Sequence, residues 1–229
     1  MTPLTAINKP PIKLNINNLG LVNSVANTFM AEIRDVEVQV DRLRFRNNIK
    51  RIGSVLAYEM SKSLDYEEKT VTTPLSNLVQ NVIVSQPVLI SIMRAGMPFF
   101  DGVLDFFDHA DCGFIGAFRT NDFSTSKKIR VDYIAVGNIA NKIVVIADPM
   151  LATGKSIVDS IESLRAYGEP KKILILSVIA TPDGIKFVEE NVDLPIALWC
   201  AAVDEKLDEK SYIVPGLGDA GDLSFGQKI

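Results

Sequence analysis

The sequence predicts an α/β fold: a mostly parallel, twisted sheet flanked by helices. Two observations carry that prediction. Five short apolar runs, PVLISIM (87–93), CGFIGAF (112–118), KIVVIAD (142–148), KILILSVIA (172–180) and IALWCAA (196–202), are continuous rather than alternating, as expected of strands covered on both faces. Helical segments separate several of these runs, so strand and helix take turns along the chain. In sheets of this kind ligands lie at the C-terminal ends of the strands.

The elements follow in order. The first ~20 residues hold three prolines and several asparagines and read as an extended arm. From about Asn23 to Leu64 the pattern is helical: within NNIKRIGSVLAYEMSKSL, Ile49, Ile52, Leu56, Met60 and Leu64 recur every three or four residues and form one apolar face. The five apolar runs come next. Between the third and fourth, residues 156–167 place Ile157, Ile161 and Leu164 on one face, with Gly168 as the C-terminal stop. A chain of 229 residues fits one domain, 1–229, with an N-terminal arm and helices over 1–65.

Composition excludes several function classes. The net charge of −4 gives no general positive field for nucleic acid. The local exception is Lys127, Lys128 and Arg130 in a Ser/Thr-rich loop, which reads as a solvated tip or as a contact for a polyphosphate. The single histidine, His109, and the lack of a CxxC pair exclude the usual structural zinc sites. Cys112 and Cys200 lie in apolar runs and are expected to be buried free thiols in a reducing compartment. No apolar stretch approaches the ~18 residues of a membrane span, and MTPLTAINKPPIKLNI lacks the layout of a signal peptide. The expectation is a cytoplasmic protein that engages neither membrane nor nucleic acid.

Two motifs invite nucleotide readings and fail on context. DPMLATGKS (148–156) ends like a Walker A loop, but the position of the first glycine is Pro149, which has a fixed φ and no N–H. The segment still joins a strand ending at Asp148 to a helix starting near Ser156, so its amides and the positive helix end converge on one point. Thr153 and Ser156 add hydroxyls and Lys155 a charge; the plainer alternative is a strand-to-helix connection with a Thr N-cap. GLGDAG (216–221) satisfies GxGxxG, yet only eight residues follow it, too few for a dinucleotide-binding unit. What remains is a glycine-rich backbone able to approach a flat ligand, with Asp219 and Asp222 as polar contacts.

Taken together, MRAG (93–96) with DGVLDFF (101–107), DPMLATGKS, and DEKLDEKSYIVPGLGDAGDLSFG (204–226) resemble the uracil phosphoribosyltransferases. RFRNNIKRIGSVLAYEMSKSL is similar to that family's N-terminal helix, so the resemblance spans nearly the whole chain from about residue 30. It implies a type I phosphoribosyltransferase-like fold whose segment 204–226 binds the base. The implied reaction joins uracil to 5-phosphoribosyl-1-diphosphate (PRPP), giving UMP and pyrophosphate.

By position, the resemblance assigns Asp148, Pro149, Met150, Leu151, Ala152, Thr153, Gly154, Lys155 and Ser156 to PRPP, the last four holding its 5′-phosphate. Asp148 would face the ribose hydroxyls and the positive charge on the sugar. Arg94 and Arg119, each at a strand end, match the arginines that bind diphosphate, and with Asp148 they form the implied catalytic set. Ile213, Gly218, Asp219 and Ala220 match the uracil site, with Asp219 also touching PRPP. No metal is held directly by the protein; Mg²⁺ would arrive with PRPP. The resemblance also implies a homo-oligomer and GTP as an effector, without locating a GTP site.

Two departures from the family pattern stand out. Lys155 occupies a position that is commonly glycine, and TNDFSTSKKIRVDY after Arg119 differs from the usual acidic, proline-containing stretch, with Tyr133 in the place of a family tyrosine. That loop would cover PRPP. These departures motivate the rival reading: a catalytically silent family member that binds PRPP or pyrimidine as a sensor.

Overall fold

The computed structural model describes residues 13–119 and 129–227. In chain order the strands are β1 (Asn15–Asn18), β2 (Tyr66–Thr72), β3 (Asn77–Ile83), β4 (Val88–Met93), β5 (Cys112–Arg119), β6 (Ile129–Ala135), β7 (Ile143–Ala147), β8 (Met150–Leu151), β9 (Lys172–Ala180), β10 (Ile196–Val203), β11 (Lys206–Leu207) and β12 (Ile213–Val214). The helices are α1 (Ala26–Arg34), α2 (Arg42–Ser61), α3 (Gly96–Leu104), α4 (Lys155–Leu164), α5 (Pro182–Asn191) and α6 (Ala220–Phe225).

All five apolar runs are strands of one sheet, in the order β1–β10–β9–β7–β4–β5–β6, with β8 pairing a further part of β9. Every pairing in it is parallel except β5 with the edge strand β6. The alternating pleat sends successive residues to opposite faces. Leu89, Val145, Leu174 and Leu176 enter a core with α1, α2 and α3. Ile90, Val144, Ile146, Ile173 and Ile175 enter a second core with α4 and α5. Both faces are therefore dry, which is why these strands read as unbroken apolar runs.

The connections locate the ligand site. From β4 the chain passes through α3 to β5 on one side; from β7 it passes through α4 to β9 on the other. The neighbouring strands β4 and β7 thus flank the point where the winding reverses, and a crevice opens beyond their C-terminal ends.

Several expectations are refined or corrected. The helical stretch 23–64 forms two helices, α1 and α2, parted by residues 35–41. Asp35 accepts the Glu37 amide at 2.8 Å where α1 ends, and the Asp41 carboxylate receives the Leu43 and Arg44 amides at 3.0 and 3.1 Å, capping α2. The extended arm is in part a sheet strand, since β1 pairs in parallel with β10; residues 1–12 lie outside the described residues. Cys200 is buried, and burial pushes its thiol up to about 12. Cys112 is exposed instead, because it starts β5 at the rim of the sheet. The hairpin β2–β3, which the sequence reading left without structure, stands as its own two-stranded sheet. Among the described residues no helix is long and apolar enough to cross a membrane.

Candidate active site

A cleft of about 960 Å³ lies at that reversal point. Of the residues singled out in the sequence, Arg94, Asp148, Met150, Leu151, Ala152, Thr153, Gly154, Lys155, Ser156, Ile213, Gly218, Asp219 and Ala220 all line it. Pro149 does not; its carbonyl turns away and accepts the amides of Val178 and Ile179, both at 3.1 Å, which ties the loop to β9. Arg119 closes β5, and its side chain lies outside the described residues, as do Lys127 and Lys128 and the side chain of Arg130.

The loop 148–156 is braced from below. Ser177 Oγ accepts the Leu151 amide at 3.1 Å, and Thr181 Oγ1 donates to the Ala152 carbonyl at 2.7 Å. Its far end is different. Gly154, at φ +76°, is the residue before α4, and no side-chain cap bond forms there; the expected Thr cap is replaced by a long 3.5 Å approach of the Lys155 amide to Thr153 Oγ1. Among the described residues, the amides of Thr153, Gly154, Ser156 and Ile157 have no intramolecular acceptor. Four unpaired donors at the start of a ten-residue helix, with its positive end behind them, form an anion site.

Asp148 sits at the end of β7 and is 8% exposed. Burial pushes its carboxyl up to about 7; the Met150 amide, 3.2 Å from Oδ1, opposes that rise only in part. A carboxyl poised near neutrality at a cleft wall ionises readily when positive charge arrives beside it.

Arg94 follows β4 directly, after a cis Met93–Arg94 peptide. Its Nη2 donates to Asp222 Oδ1 at 3.0 Å and to the Gly226 carbonyl at 3.3 Å, while its buried Nε has no acceptor. Nη1 makes no hydrogen bond among the described residues, so the partly exposed guanidinium keeps that donor to spare at the cleft.

The opposite wall is segment 204–226. Gly216 (φ +62°) is an internal turn, where a Cβ would meet the Ile213 carbonyl at 2.0 Å; Gly218 (φ +89°), where a Cβ would meet only Leu223 Cδ1 at an ordinary 3.7 Å, lines the cleft. The glycines of this motif thus divide between folding the segment and exposing its backbone. Asp219 Oδ1 accepts the Asp222 amide at 2.9 Å and caps α6. Sequence reasoning missed Glu209, Lys210, Ser211 and Tyr212, which join the cleft from the β11–β12 turn. The turn is held by the Asp208 carboxylate, which accepts the Lys210 and Tyr212 amides at 2.9 and 2.8 Å. The DEKS pattern was its only sequence signal.

Comparisons with known proteins agree with this geometry. The family model described as uracil phosphoribosyltransferase matches residues 21–227. A protein of Porphyromonas gingivalis named uracil phosphoribosyltransferase is 43% identical over 216 residues, covering 94% of this chain and all of its own length. One of the same name from Pyrococcus furiosus is 35% identical over 204 residues, covering 87% of this chain and 85% of that one. Among solved structures, the AQ2163 protein from Aquifex aeolicus superposes with a TM-score of 0.81 at 30% identity, covering 93% of this chain and 99% of its own. With its motifs placed on one cleft and its length matched almost end to end, the chain belongs to the uracil phosphoribosyltransferase family.

Proposed function

We propose that the protein transfers the phosphoribosyl group of PRPP to uracil, giving UMP and pyrophosphate, in pyrimidine salvage. The observation that carries this reading is the shared cleft: unpaired helix-end amides stand on one wall and the glycine-turn segment 218–220 lines the other. The 5′-phosphate would rest on the amides of 153–157, and the diphosphate on Arg94, joined by Arg119 from the end of β5. Asp148 would face the ribose. Uracil offers an acceptor–donor–acceptor edge that backbone N–H and C=O groups near Ile213 and Gly218–Ala220 can read; cytosine would leave one such group unpaired.

In the reaction the bond from ribose C1 to the diphosphate oxygen breaks, and a bond from C1 to N1 of uracil forms. The N1 proton leaves to solvent or to the departing pyrophosphate. Asp148, ionised, stabilises the positive charge on the sugar, and Arg94 stabilises the leaving group. Holding N1 in line with C1 supplies much of the remaining acceleration.

Magnesium fits this donor set as a companion of PRPP. Among the described residues no three His, Cys, Asp or Glu side chains cluster to hold a metal, so the ion would take its ligands mainly from PRPP and water, with Asp148 as the nearby carboxylate. When bound it would neutralise diphosphate charge.

The test is turnover of PRPP with uracil, cytosine, hypoxanthine and orotate in the presence of Mg²⁺. UMP from uracil alone is expected. Binding of PRPP or uracil by calorimetry without any UMP would instead establish the silent sensor. A cytoplasmic homo-oligomer belongs to the same proposal. Leu21, Val22, Val25, Val36 and Val40 around α1, and Leu75 and Val79 on the β2–β3 hairpin, are exposed apolar side chains that a second copy would cover. Sedimentation of a pure monomer would refute that part. No residues are assigned to GTP.

A further inference from the structure

We infer that Asp222 is a positioning residue for Arg94, and that through it occupancy of the base segment and of the diphosphate position are coupled. The inference deepens the proposed reaction and rests on that reading for the identity of the ligands.

Arg94 and Asp222 are 128 residues apart in sequence; Arg94 lines the cleft, and Asp222 stands behind it, next to the cleft-lining Gly221. One arginine nitrogen, Nη2, is committed to Asp222 Oδ1 at 3.0 Å and to the Gly226 carbonyl at 3.3 Å. The guanidinium is held by one corner: Nε is buried without an acceptor, and Nη1, which makes no hydrogen bond among the described residues, is the donor left for a ligand. A long arginine side chain loses rotamer freedom when it grips an anion; holding it in place beforehand removes part of that cost.

The same contact leads back to the base wall. Asp219, in the segment 218–220, accepts the Asp222 amide at 2.9 Å, and the Gly226 amide donates to the Asp222 carbonyl at 2.8 Å. The Asp222 backbone is therefore tied directly to the turn that would carry the base, and Gly226, just past α6, is tied to it only through Asp222. A base that orders this turn orders Asp222, and with it Arg94. On its other side α6 is tied to α2 through Arg46 Nη1 and the Ser224 carbonyl at 2.8 Å. That bond supports the helix without touching Arg94, which makes Arg46 the natural structural control. The Arg94 and Asp222 side chains are 37% and 32% exposed, so the pair contributes little to global stability and its effect is orientation.

The experiment uses magnesium pyrophosphate and uracil, a combination that cannot react because it lacks the ribosyl group. Calorimetry measures pyrophosphate affinity with and without saturating uracil. In the wild type, uracil should tighten pyrophosphate several-fold, and pyrophosphate should tighten uracil by the same factor. Asp222→Ala should weaken pyrophosphate roughly tenfold and bring the coupling factor near one, with uracil affinity alone unchanged. Asp222→Asn, which keeps an acceptor, should retain part of the coupling. Arg46→Ala should lower the melting temperature without a selective loss of pyrophosphate. In turnover, Asp222→Ala should raise KM for PRPP far more than it lowers kcat.

Pyrophosphate bound by Asp222→Ala as tightly as by the wild type, or more tightly, would overturn the inference, since the carboxylate would then be a bystander or a competitor. Parallel loss of uracil and pyrophosphate affinity with a lower melting temperature would reduce Asp222 to a structural role and overturn it equally. Failure of the wild type to make UMP refutes the reaction and leaves these binding measurements readable.

Discussion

Arg34 grips Asp204 with two bonds, Nη1 to Oδ2 and Nη2 to Oδ1, each 2.8 Å long, across 170 residues of sequence. Asp204 is 6% exposed and also accepts the Gly216 amide at 2.9 Å, while Arg34 donates to the Gly216 carbonyl at 3.1 Å. The last turn of α1 thereby fixes the bend that leads into the cleft-lining residues 218–221. Removing the arginine leaves a buried carboxylate with one amide for company. Arg34→Ala should cost about 3 kcal/mol in a denaturant titration and raise KM for uracil more than KM for PRPP. A loss below about 1 kcal/mol, with both KM values unchanged, would show the clamp to be dispensable.

Asp148 should give the protein a pH signature. Its folded carboxyl holds a proton up to about 7, against an ordinary value of 3.8. The folded state therefore binds the proton more tightly than the unfolded chain does, and this stability is fully present below 3.8 and is lost as pH rises through about 7. Asp148→Asn should remove that slope and be more stable than the wild type at pH 8, by roughly 2–4 kcal/mol at most. Turnover should move the opposite way: kcat/KM for PRPP should rise with an inflection near 7 in the wild type, and the variant should lose on the order of 10²-fold or more. An unchanged stability profile between pH 4 and 7 in Asp148→Asn would place the carboxyl elsewhere in its titration.

Much of this fold was legible because burial on both sheet faces writes itself as unbroken apolar runs, and the runs 87–93, 142–148 and 172–180 match β4, β7 and β9 within a residue or two. The cleft walls were legible for a related reason: unpaired amides that converge at a helix start need a strand, a short loop and a helix in succession, which KIVVIADPMLATGKS states locally. What was not legible depends on partners far away. β1 is NINN, with no strand signature, and exists because β10 offers it an edge. Strands β2 and β3 expose nearly every side chain, so no buried face imprints a period. The ion pairs of Arg34 with Asp204 and Arg94 with Asp222 join residues more than a hundred positions apart, and each reads alone as an ordinary surface charge. Cys112 was misjudged because its apolar neighbours continue into the sheet while it stands at the rim.

Lys155 is the charge that made the loop resemble a nucleotide-binding motif, and it lines the cleft. It is exposed at the first position of α4, where a positive charge works against the helix dipole unless an anion is present. Lys155→Gly should therefore weaken PRPP about threefold to tenfold at low ionic strength, with the difference shrinking as salt is added. PRPP affinities that coincide at every salt concentration would make the lysine a bystander.

Gly154 carries the sharpest requirement in the loop. At φ +76° a side chain is already disfavoured, and a Cβ there would lie 2.6 Å from the Gly184 carbonyl, a rigid backbone atom at the start of α5. Gly154→Ala must therefore rotate the peptide that aims the 153–157 amides or push α4 from α5. Either response breaks the convergence of those amides on one anion. The variant should lose about 1–3 kcal/mol of stability and bind PRPP at least tenfold more weakly, while Gly218→Ala, strained as well at φ +89° but meeting only the Leu223 side chain at 3.7 Å and lying outside the 153–157 loop, should leave PRPP affinity closer to wild type. Matched calorimetric titrations of the two variants decide the point: equal PRPP losses at both positions would mean that the geometry at Gly154 is not what builds the phosphate site.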